Sequence, residues 1–181
     1  MTGTPEAAVE LVRLDVATMA ALLDDDLGRA AQLAGVPLTP YFLTQNWLWR
    51  IRHDQVLEDP AAAQWVARAA LVDGRVVGHV GFHGPPDDAG MVEVAYSVDP
   101  EHRRRGHARR LLAAALEWAA SVPDVRTVRA SISPDNVASL ATLRPFGFAQ
   151  VGEQWDEEDG LEVVHELTLP PREGTMSPHA E

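Results

Sequence analysis

The sequence predicts an α/β (α+β) fold that is built around one sheet. Seven apolar, β-rich runs alternate with helical and turn patterns, and 181 residues is the usual length of one domain. Hydrophobic residues make up 46% of the chain and charged residues 23%, as in an ordinary globular protein. We therefore expect a single domain over residues 1–169 and a disordered tail over residues 170–181.

The first half of the chain combines helical patterns with a β-hairpin. The helical pattern that follows the first strand is Ala/Leu-rich, and we expect Asp24–Asp26 to break it. Asp73-Gly74 separates two apolar, β-rich runs, which is a strong signal for a tight hairpin. In chain order, we predict a strand over residues 9–14, helices within 17–33 and 46–56, and strands over 65–72 and 76–83.

The second half of the chain predicts a strand, a turn and a long amphipathic helix in succession. After Gly106 the apolar residues recur at helical spacing, whereas those before it alternate as in a strand. One face of this strand carries Val92, Val94, Tyr96 and Val98, and the other carries Met91, Glu93, Ala95 and Ser97. The later predicted elements are a strand over 125–133, a helix over 136–144 and a strand pair over 148–155 and 161–169.

Positive charge is concentrated in one stretch of an acidic chain. The formal net charge is -12, and five of the fifteen basic residues, all of them arginines, lie in EHRRRGHARRLL, residues 101–112. Nucleic-acid binding needs a spread-out basic face, which the sequence does not show. We therefore expect no nucleic-acid partner.

The arginine stretch coincides with the predicted strand-to-helix turn. The first amides of a helix have no intrahelical partner, and the helix dipole is positive there. Gly106 and the small Ala108 let a ligand approach the backbone, so the turn is suited to phosphate. The nucleotide-binding patterns GxxxxGK[ST] and GxGxxG are both absent. The alternative is a solvated helix start whose arginines balance nearby acids.

Two segments of the chain resemble the signature of a known family. RRRGHA, residues 103–108, fits [R/Q]xxGx[G/A] after a strand that ends in VDP, and NVASLATLRPFGF follows at residues 136–148. Together they resemble the GNAT superfamily of N-acetyltransferases, with the ribosomal-protein-alanine branch most similar. The resemblance implies a central mixed, mostly antiparallel, twisted sheet of six to seven strands. It also implies helices on both faces and a splayed parallel strand pair that binds acyl-CoA.

The resemblance implies acetyl-CoA as co-substrate and places its contacts on this chain. The amides of residues 105–110 should hold the pyrophosphate, and arginine side chains should reach the ribose 3′-phosphate. The backbone of residues 97–99 should pair with the pantetheine arm, to which Asn136 should hydrogen-bond. The implied set is Ser97, Val98, Asp99, Arg103, Arg104, Arg105, Gly106, His107, Ala108, Arg109, Arg110, Asn136 and Ser139.

Acetyl transfer to an amine needs a base, an oxyanion donor and a proton for the leaving thiolate. The resemblance implies Glu93 as a base that acts through water and the backbone N–H of Val98 as oxyanion donor. A strand glutamate that pairs with an arginine or faces solvent is the alternative for Glu93. Relatives carry a tyrosine acid where this chain has Leu143. Ser139 is the candidate for that role here, and simple helix packing is its alternative.

The acceptor is expected to be a primary amine of a small molecule, a protein N-terminus or a lysine. Acidic residues at 24–26 and 153–159 would attract a cation, but helix capping and a solvated turn explain them as well. The aromatic residues Tyr41, Phe42, Trp47 and Trp49 are candidates for lining the acceptor pocket, with core packing as their alternative. A homodimer is compatible with the resemblance. The alternative function is a non-catalytic acyl-CoA sensor or interaction protein of the same fold.

The sequence predicts neither a metal site nor a membrane partner. The seven histidines are scattered without HExxH spacing, and cysteine is absent. No run approaches the roughly 20 apolar residues of a membrane span, and no signal-peptide pattern is present. We therefore expect a cytoplasmic protein.

Overall fold

The fold is a seven-stranded sheet with helices, which the computed structural model describes over residues 8–157 and 160–170. Apart from Pro170, the predicted disordered tail lies outside the described residues. The strands are β1 (Val9–Arg13), β2 (Arg68–Val72), β3 (Arg75–Phe82), β4 (Met91–Val98), β5 (Thr127–Ile132), β6 (Ala149–Asp156) and β7 (Gly160–Thr168). The α-helices are α1 (Val16–Leu23), α2 (Leu27–Ala34), α3 (Asn46–Glu58), α4 (His107–Ser121) and α5 (Val137–Leu143).

The strand order of the sheet is β1-β2-β3-β4-β5-β7-β6, and every neighbouring pair is antiparallel except β4 with β5. β4 and β5 pair only through residues 91–93 and 127–129, although β4 continues to Val98 and β5 to Ile132. The two strands therefore diverge toward their carboxyl ends. The predicted mixed sheet and its splayed parallel pair are confirmed.

Helices cover both faces of the sheet. Trp118 of α4 lies with its ring centroid 5.4 Å from that of Phe82, and Trp49 of α3 lies 5.1 Å from His79. Phe82 and His79 are three residues apart on β3, so their side chains point to opposite faces. The core therefore has two layers, with α4 on one side of the sheet and α3 on the other.

Short-range signals fix the boundaries of the early elements. Asp15 and Asp26 cap α1 and α2 by accepting backbone N–H groups three residues on, at 2.8 and 2.9 Å. Capping is thus the role of Asp26 in the acidic cluster. Asp73 and Gly74 have φ values of 52° and 73°, the conformation of a type I′ hairpin turn, which confirms the predicted hairpin.

β2 begins later than the apolar pattern predicts. Residues 60–64 form a 3₁₀ turn, and regular pairing starts at Arg68 rather than at Trp65. The chain before β2 instead crosses β3 at close range. A Cβ at Gly81 would overlap the carbonyl of Val66, so the glycine leaves the room that this crossing needs. Apolar composition does not distinguish this crossing from a paired strand.

Candidate active site

The carboxyl end of β4 presents backbone groups to the gap between β4 and β5. The N–H of Asp99 donates to the carbonyl of Val77 at 2.9 Å, and Ser97 lies in register with β3 two residues earlier. In an antiparallel pair, residues between such bonded positions turn their N–H and C=O groups the other way. Val98 and Tyr96 therefore direct their backbone groups into the gap. Of the three residues predicted to pair with pantetheine, Val98 is the one whose N–H faces it.

β3 approaches β4 closely beside Val98. A Cβ at Gly78 would overlap the carbonyl oxygen of Ser97 and stand 3.0 Å from the Cα of Val98. Only glycine fits this contact, because backbone atoms cannot move aside as a flexible side chain can. Gly78 therefore fixes where the Val98 N–H lies relative to the turn that follows.

The turn after β4 leaves helix amides open to the gap. Gly106 is the N-cap of α4 in the left-handed region, with φ 77° and ψ 4°. No heavy atom outside its chain neighbours lies within 4 Å of the position that a Cβ of Gly106 would take. Arg104 also has a positive φ of 59°, which is uncommon for a residue with a side chain. The turn therefore offers both donors and space to an anion.

The arginine side chains of the turn are held in different ways. Nε of Arg103 donates to the carbonyl of Val98 at 3.0 Å, which ties the turn back to β4. Arg104, Arg105 and Arg109 are exposed, whereas Arg110 is half-buried. One arginine thus has a structural contact, and three carry their charge into solvent around the turn.

A cavity of about 550 Å³ joins the gap to the turn. Its volume is in the range of small-molecule sites. Ten of the thirteen predicted cofactor residues line it, and Asp99, Arg105 and Arg110 do not. Sequence reasoning missed Tyr96 and Thr142, although Tyr96 shares a strand face with Val98. The lining residues are Tyr96, Ser97, Val98, Arg103, Arg104, Gly106, His107, Ala108, Arg109, Asn136, Ala138, Ser139 and Thr142.

The carboxylate of Asp99 holds the turn in shape. The residue is 5% exposed, and its two oxygens accept from Thr39 Oγ1 at 2.6 Å and from the N–H of Glu101 at 3.0 Å. These bonds commit the side chain within the protein. Asp99 therefore supports the site without offering its carboxylate to a ligand.

His107 begins α4 inside the cavity wall. Burial lowers the pKa of His107, and the positive charge of Arg110 lowers it further. Its Nδ1 is buried without a hydrogen-bond partner among the described residues. The imidazole is therefore neutral at pH 7, and a bound anion would raise its pKa.

The cavity wall opposite β4 is formed by α5. Asn136 caps this helix, since its Oδ1 accepts the N–H of Ser139 at 3.1 Å, and its amide nitrogen remains as a donor. Ser139 is half-buried and lines the cavity. Leu143, at the position of the relatives' tyrosine, is 2% exposed and belongs to the core.

A second polar group lies at the amino end of β4, far from the turn. The Oε2 atom of Glu93 is 3.8 Å from Nδ1 of His83, which directly follows β3. Arg52 of α3 donates from Nη1 to the carbonyl of His83 at 3.2 Å, and its charge acts on Glu93. Asp156 of β6 acts electrostatically on His83. Side chains from four elements therefore meet here.

The electrostatics of this group keep His83 neutral. Burial lowers the pKa of His83, Glu93 opposes that shift, and Arg52 reinforces it. Burial also lowers the pKa of Arg52, with Glu93 opposing. Sequence reasoning predicted neither His83 nor Arg52 as a site residue. The strand register would have indicated His83 as a neighbour of Glu93. Phe82 pairs with Val94, so the next residue of the chain, His83, lies opposite Glu93.

The separation between Glu93 and Val98 limits how they act together. The two residues are five positions apart on an extended strand, which is roughly 16 Å. A carboxylate at Glu93 therefore cannot directly contact a group that lies beside the Val98 N–H.

The face of β4 that carries Glu93 also carries a hydroxyl pair. The side chains of Tyr41 and Ser97 hydrogen-bond to each other, and Tyr41 stacks on His79 with ring centroids 5.9 Å apart. Burial lowers the pKa of His79 to about 4. His79 and His83 are four residues apart on an extended chain, roughly 13 Å, which is too far for a shared metal ion. In the part of the chain described here, no three metal-ligating side chains converge.

The residues considered for acceptor binding fall in different places. Phe42 and Trp49 are 0% and 1% exposed and belong to the core, whereas Trp47 is 58% exposed. In the acidic hairpin, Asp156 acts on His83, and residues 158–159 lie outside the described residues.

A splayed parallel strand pair, a helix start with open amides and a cavity between them are the features that the resemblance predicts for an α/β fold of the acyl-CoA-binding class. The sequence pattern of the acetyltransferase (GNAT) family matches residues 25–148, which is more than half of the chain. The chain therefore belongs to the GNAT acetyltransferase family, as the resemblance predicted. No helix within residues 8–157 and 160–170 combines the length and the apolar character that crossing a bilayer requires.

Relatives and structural neighbours agree with this assignment. The uncharacterized N-acetyltransferase YjdG of Bacillus subtilis (strain 168) is 36% identical over 73 residues, which is 40% of this chain and 44% of YjdG. The match thus spans less than half the length of that relative. RimJ of Mycobacterium smegmatis in complex with CoA-disulfide is 18% identical at TM-score 0.63, over 91% of this chain and 83% of RimJ. AAC(6')-Ib with paromomycin and acetyl-CoA is 17% identical at TM-score 0.62, over 95% and 99%. These two likenesses show the fold.

Proposed function

We propose that the chain is an acetyl-CoA-dependent N-acetyltransferase, which moves an acetyl group to a primary amine by direct attack in a ternary complex. The observation that carries this proposal is the cavity that joins the gap beside Val98 to the turn at Gly106. Family membership supports acetyl transfer, and RimJ and AAC(6')-Ib hold CoA-disulfide and acetyl-CoA in the same fold.

In the proposed complex the co-substrate lies along the cavity. Its pyrophosphate accepts from the amides at the start of α4, and the exposed Arg104 and Arg109 add charge-assisted contacts. Its pantetheine arm enters the gap, where Val98 offers its backbone and Asn136 its amide nitrogen. The thioester then lies beside the Val98 N–H.

The reaction uses the two ends of β4 in succession. Glu93 takes the proton of the attacking amine through water, and the Val98 N–H stabilises the oxyanion of the tetrahedral intermediate. The carbon–sulfur bond then breaks, and the sulfur takes a proton. Ser139, whose side chain lines the cavity, is the donor that we assign to it.

The proposed acceptor is a primary amine, which belongs either to a small molecule or to a protein N-terminus or lysine. The carboxylates of Glu93 and Asp156 lie at the acceptor end, and the chain as a whole carries a charge of -12. Both features favour a cationic partner. The AAC(6')-Ib structure, which contains paromomycin, shows that this fold accommodates an amine-bearing small molecule.

A non-catalytic acyl-CoA sensor is the second candidate. It is favoured by the buried Leu143, which leaves the relatives' tyrosine position without a proton donor. Such a protein would bind acetyl-CoA and turn over no amine.

The first test is calorimetric titration with acetyl-CoA of the native protein and the Gly106→Ala and Gly147→Ala variants. Both glycines have positive φ, 77° and 80°, and open space around the Cβ position, but only Gly106 lines the cavity. An alanine at a positive φ is strained by about 1–2 kcal/mol, so the two variants should lose a similar amount of stability. Affinity should fall about tenfold or more in Gly106→Ala alone. Absence of binding to the native protein would end the proposal.

The second test follows free thiol release from acetyl-CoA with a panel of amines. The panel spans polyamines, aminoglycosides and peptides with a free N-terminus or a lysine. Turnover on any of them supports the enzyme, whereas binding without turnover on all of them supports the sensor.

A further inference from the structure

The hydroxyl of Tyr96 is a buried polar group that the protein itself does not satisfy. The atom has almost no solvent contact and closes no hydrogen bond of normal geometry among the described residues. Leaving a buried hydroxyl unpaired costs free energy, so native proteins rarely keep one without a role. The ring of Tyr96 lines the cavity between Ser97 and α5.

The neighbours of this hydroxyl are two hydroxyls of α5. The side chains of Ser139 and Thr142 lie close enough to lower the pKa of Tyr96, although burial outweighs them and raises it. Thr142 Oγ1 already donates to the carbonyl of Ala138 at 2.9 Å, so its own proton is committed. The tyrosine therefore stays protonated at neutral pH. Both neighbouring oxygens can accept its proton, but Ser139 is the one whose own proton is not already committed within the helix, so it can pass a proton on.

This pair lies on the side of the cavity where the leaving sulfur needs a proton. Leu143, three residues further along α5, cannot donate. Serine alone is a weak acid, because its alkoxide is far more basic than a thiolate. A second hydroxyl behind it, with a pKa much closer to that of a thiol than the pKa of serine is, reduces this difficulty.

Resting on the function proposed above, we propose that Tyr96 is a positioning residue that acts through Ser139, and that the two hydroxyls together replace the missing tyrosine acid. As the carbon–sulfur bond breaks, its electron pair passes to the sulfur. The Ser139 proton moves to the sulfur, and the Tyr96 proton moves to Ser139. After the thiol leaves, water that enters the cavity returns a proton to Tyr96 through Ser139, and Glu93 releases to solvent the proton that it took from the amine, so the protons balance.

The test titrates the thiol of coenzyme A bound to the protein and needs no acceptor. The thiolate is followed by its ultraviolet absorbance, as the difference between complexes with coenzyme A and with desulfo-coenzyme A, so that tyrosine ionisation cancels. Hydrogen bonds to a charged group are worth about 1.5–3 kcal/mol, so Tyr96→Phe and Ser139→Ala should each raise the bound thiol pKa by about one unit. The double variant should match Ser139→Ala alone, because Tyr96 acts through the serine. Tyr41→Phe, which removes the other tyrosine hydroxyl from the opposite face of β4, should leave the bound thiol pKa as in the native protein.

Stability separates this role from a structural one. Removing an unpaired buried hydroxyl should leave the thermal midpoint of free Tyr96→Phe unchanged or higher. An equal bound thiol pKa in the native protein and Tyr96→Phe, or additive shifts in the double variant, would overturn the inference. So would loss of folded protein in Tyr96→Phe. Absence of coenzyme A binding to the native protein would contradict the proposed function instead, and calorimetry distinguishes that outcome before the thiol is titrated.

Discussion

The two ends of β4 present different kinds of chemical group. The carboxyl end uses backbone: the N–H of Val98, the close approach at Gly78 and the left-handed turn at Gly106. The amino end uses side chains that four separate elements bring together. They are Arg52 of α3, His83 after β3, Glu93 of β4 and Asp156 of β6.

This difference explains why the proposed co-substrate side can be recognised from the sequence and the proposed acceptor side cannot. A backbone site needs a glycine, a small residue and a strand-to-helix change within a few positions, so its pattern is local. A side-chain site needs only that distant residues converge, and one changed residue alters its selectivity. Variants that act on one end and spare the other test this division.

The largest expected effect is on turnover at the amino end. Glu93→Gln keeps the size and hydrogen bonding of the side chain but removes the base, so the rate should fall about 100-fold or more. Steady-state thiol release measures the rate, and calorimetry should show unchanged affinity for coenzyme A. His83→Asn is the companion variant. If turnover collapses in His83→Asn while Glu93→Gln stays near the native rate, His83 is the base.

A second effect concerns the buried histidine under the Ser97 face of β4. The pKa of His79 falls from 6.5 to about 4 on folding because burial disfavours its charge. Its contribution to the free energy of unfolding is present above pH 6.5 and is lost as the pH falls from 6.5 to 4, by about 3 kcal/mol in total. His79→Phe keeps an aromatic ring and removes this loss.

Denaturant unfolding of both proteins across this pH range measures the difference. Above pH 6.5 the two curves of unfolding free energy against pH should run parallel. Parallel curves below pH 6.5 as well would contradict the assignment of the acid-sensitive step to His79.

A smaller effect is expected from single charges at the carboxyl end. Arg104 is exposed, so its contact with a phosphate should be worth about 0.2–1 kcal/mol, and Arg104→Gln should weaken coenzyme A binding by a factor of about 1.4 to 5. Glutamine, like arginine, is a residue with a side chain at this positive φ, so the backbone strain should be the same in both proteins. The affinity of the variant for coenzyme A should also depend less steeply on salt concentration. Arg144→Gln, at an exposed arginine outside the cavity lining, is the matched control. Equal loss in both variants would mean that the arginines act only through the overall charge.

The smallest expected effect is the uptake of a fraction of a proton by His107 when coenzyme A binds. Burial and Arg110 hold the pKa of His107 low in the free protein, and a bound pyrophosphate should raise it. Binding should then take up protons below about pH 6.5 and become tighter as the pH falls through that range. Calorimetry in buffers of different ionisation enthalpy measures the uptake. His107→Gln isolates it from the protonation of the phosphate itself, and identical uptake in both proteins would remove His107 from the linkage.

The sequence predicted all seven strands in chain order, because periodicity and turn chemistry are local, and the family resemblance supplied ten of the residues that line the cavity. Asp73-Gly74 forms the predicted hairpin turn, and α4 begins directly after Gly106, where the change of period predicts it. The contact between Arg52 and His83 spans 31 positions of the chain, and no short pattern encodes it. Alternation along β4 places Tyr96 on the same face as the valines, which favours a core role, and the neighbours of its hydroxyl on α5 become visible only when the helix is placed.

The narrow junction between β4 and β5 has a mechanical consequence. Among the described residues, three paired positions of β4 and β5, together with the backbone bonds of Gly90 to residues 126 and 127, join the four-stranded half of the sheet to the three-stranded half. A pantetheine arm that hydrogen-bonds within the gap between β4 and β5 would hold the two halves of the sheet together. Hydrogen exchange at residues 94–98 and 130–132 should therefore slow when coenzyme A is present, and the amine should enter after the co-substrate has braced the two halves.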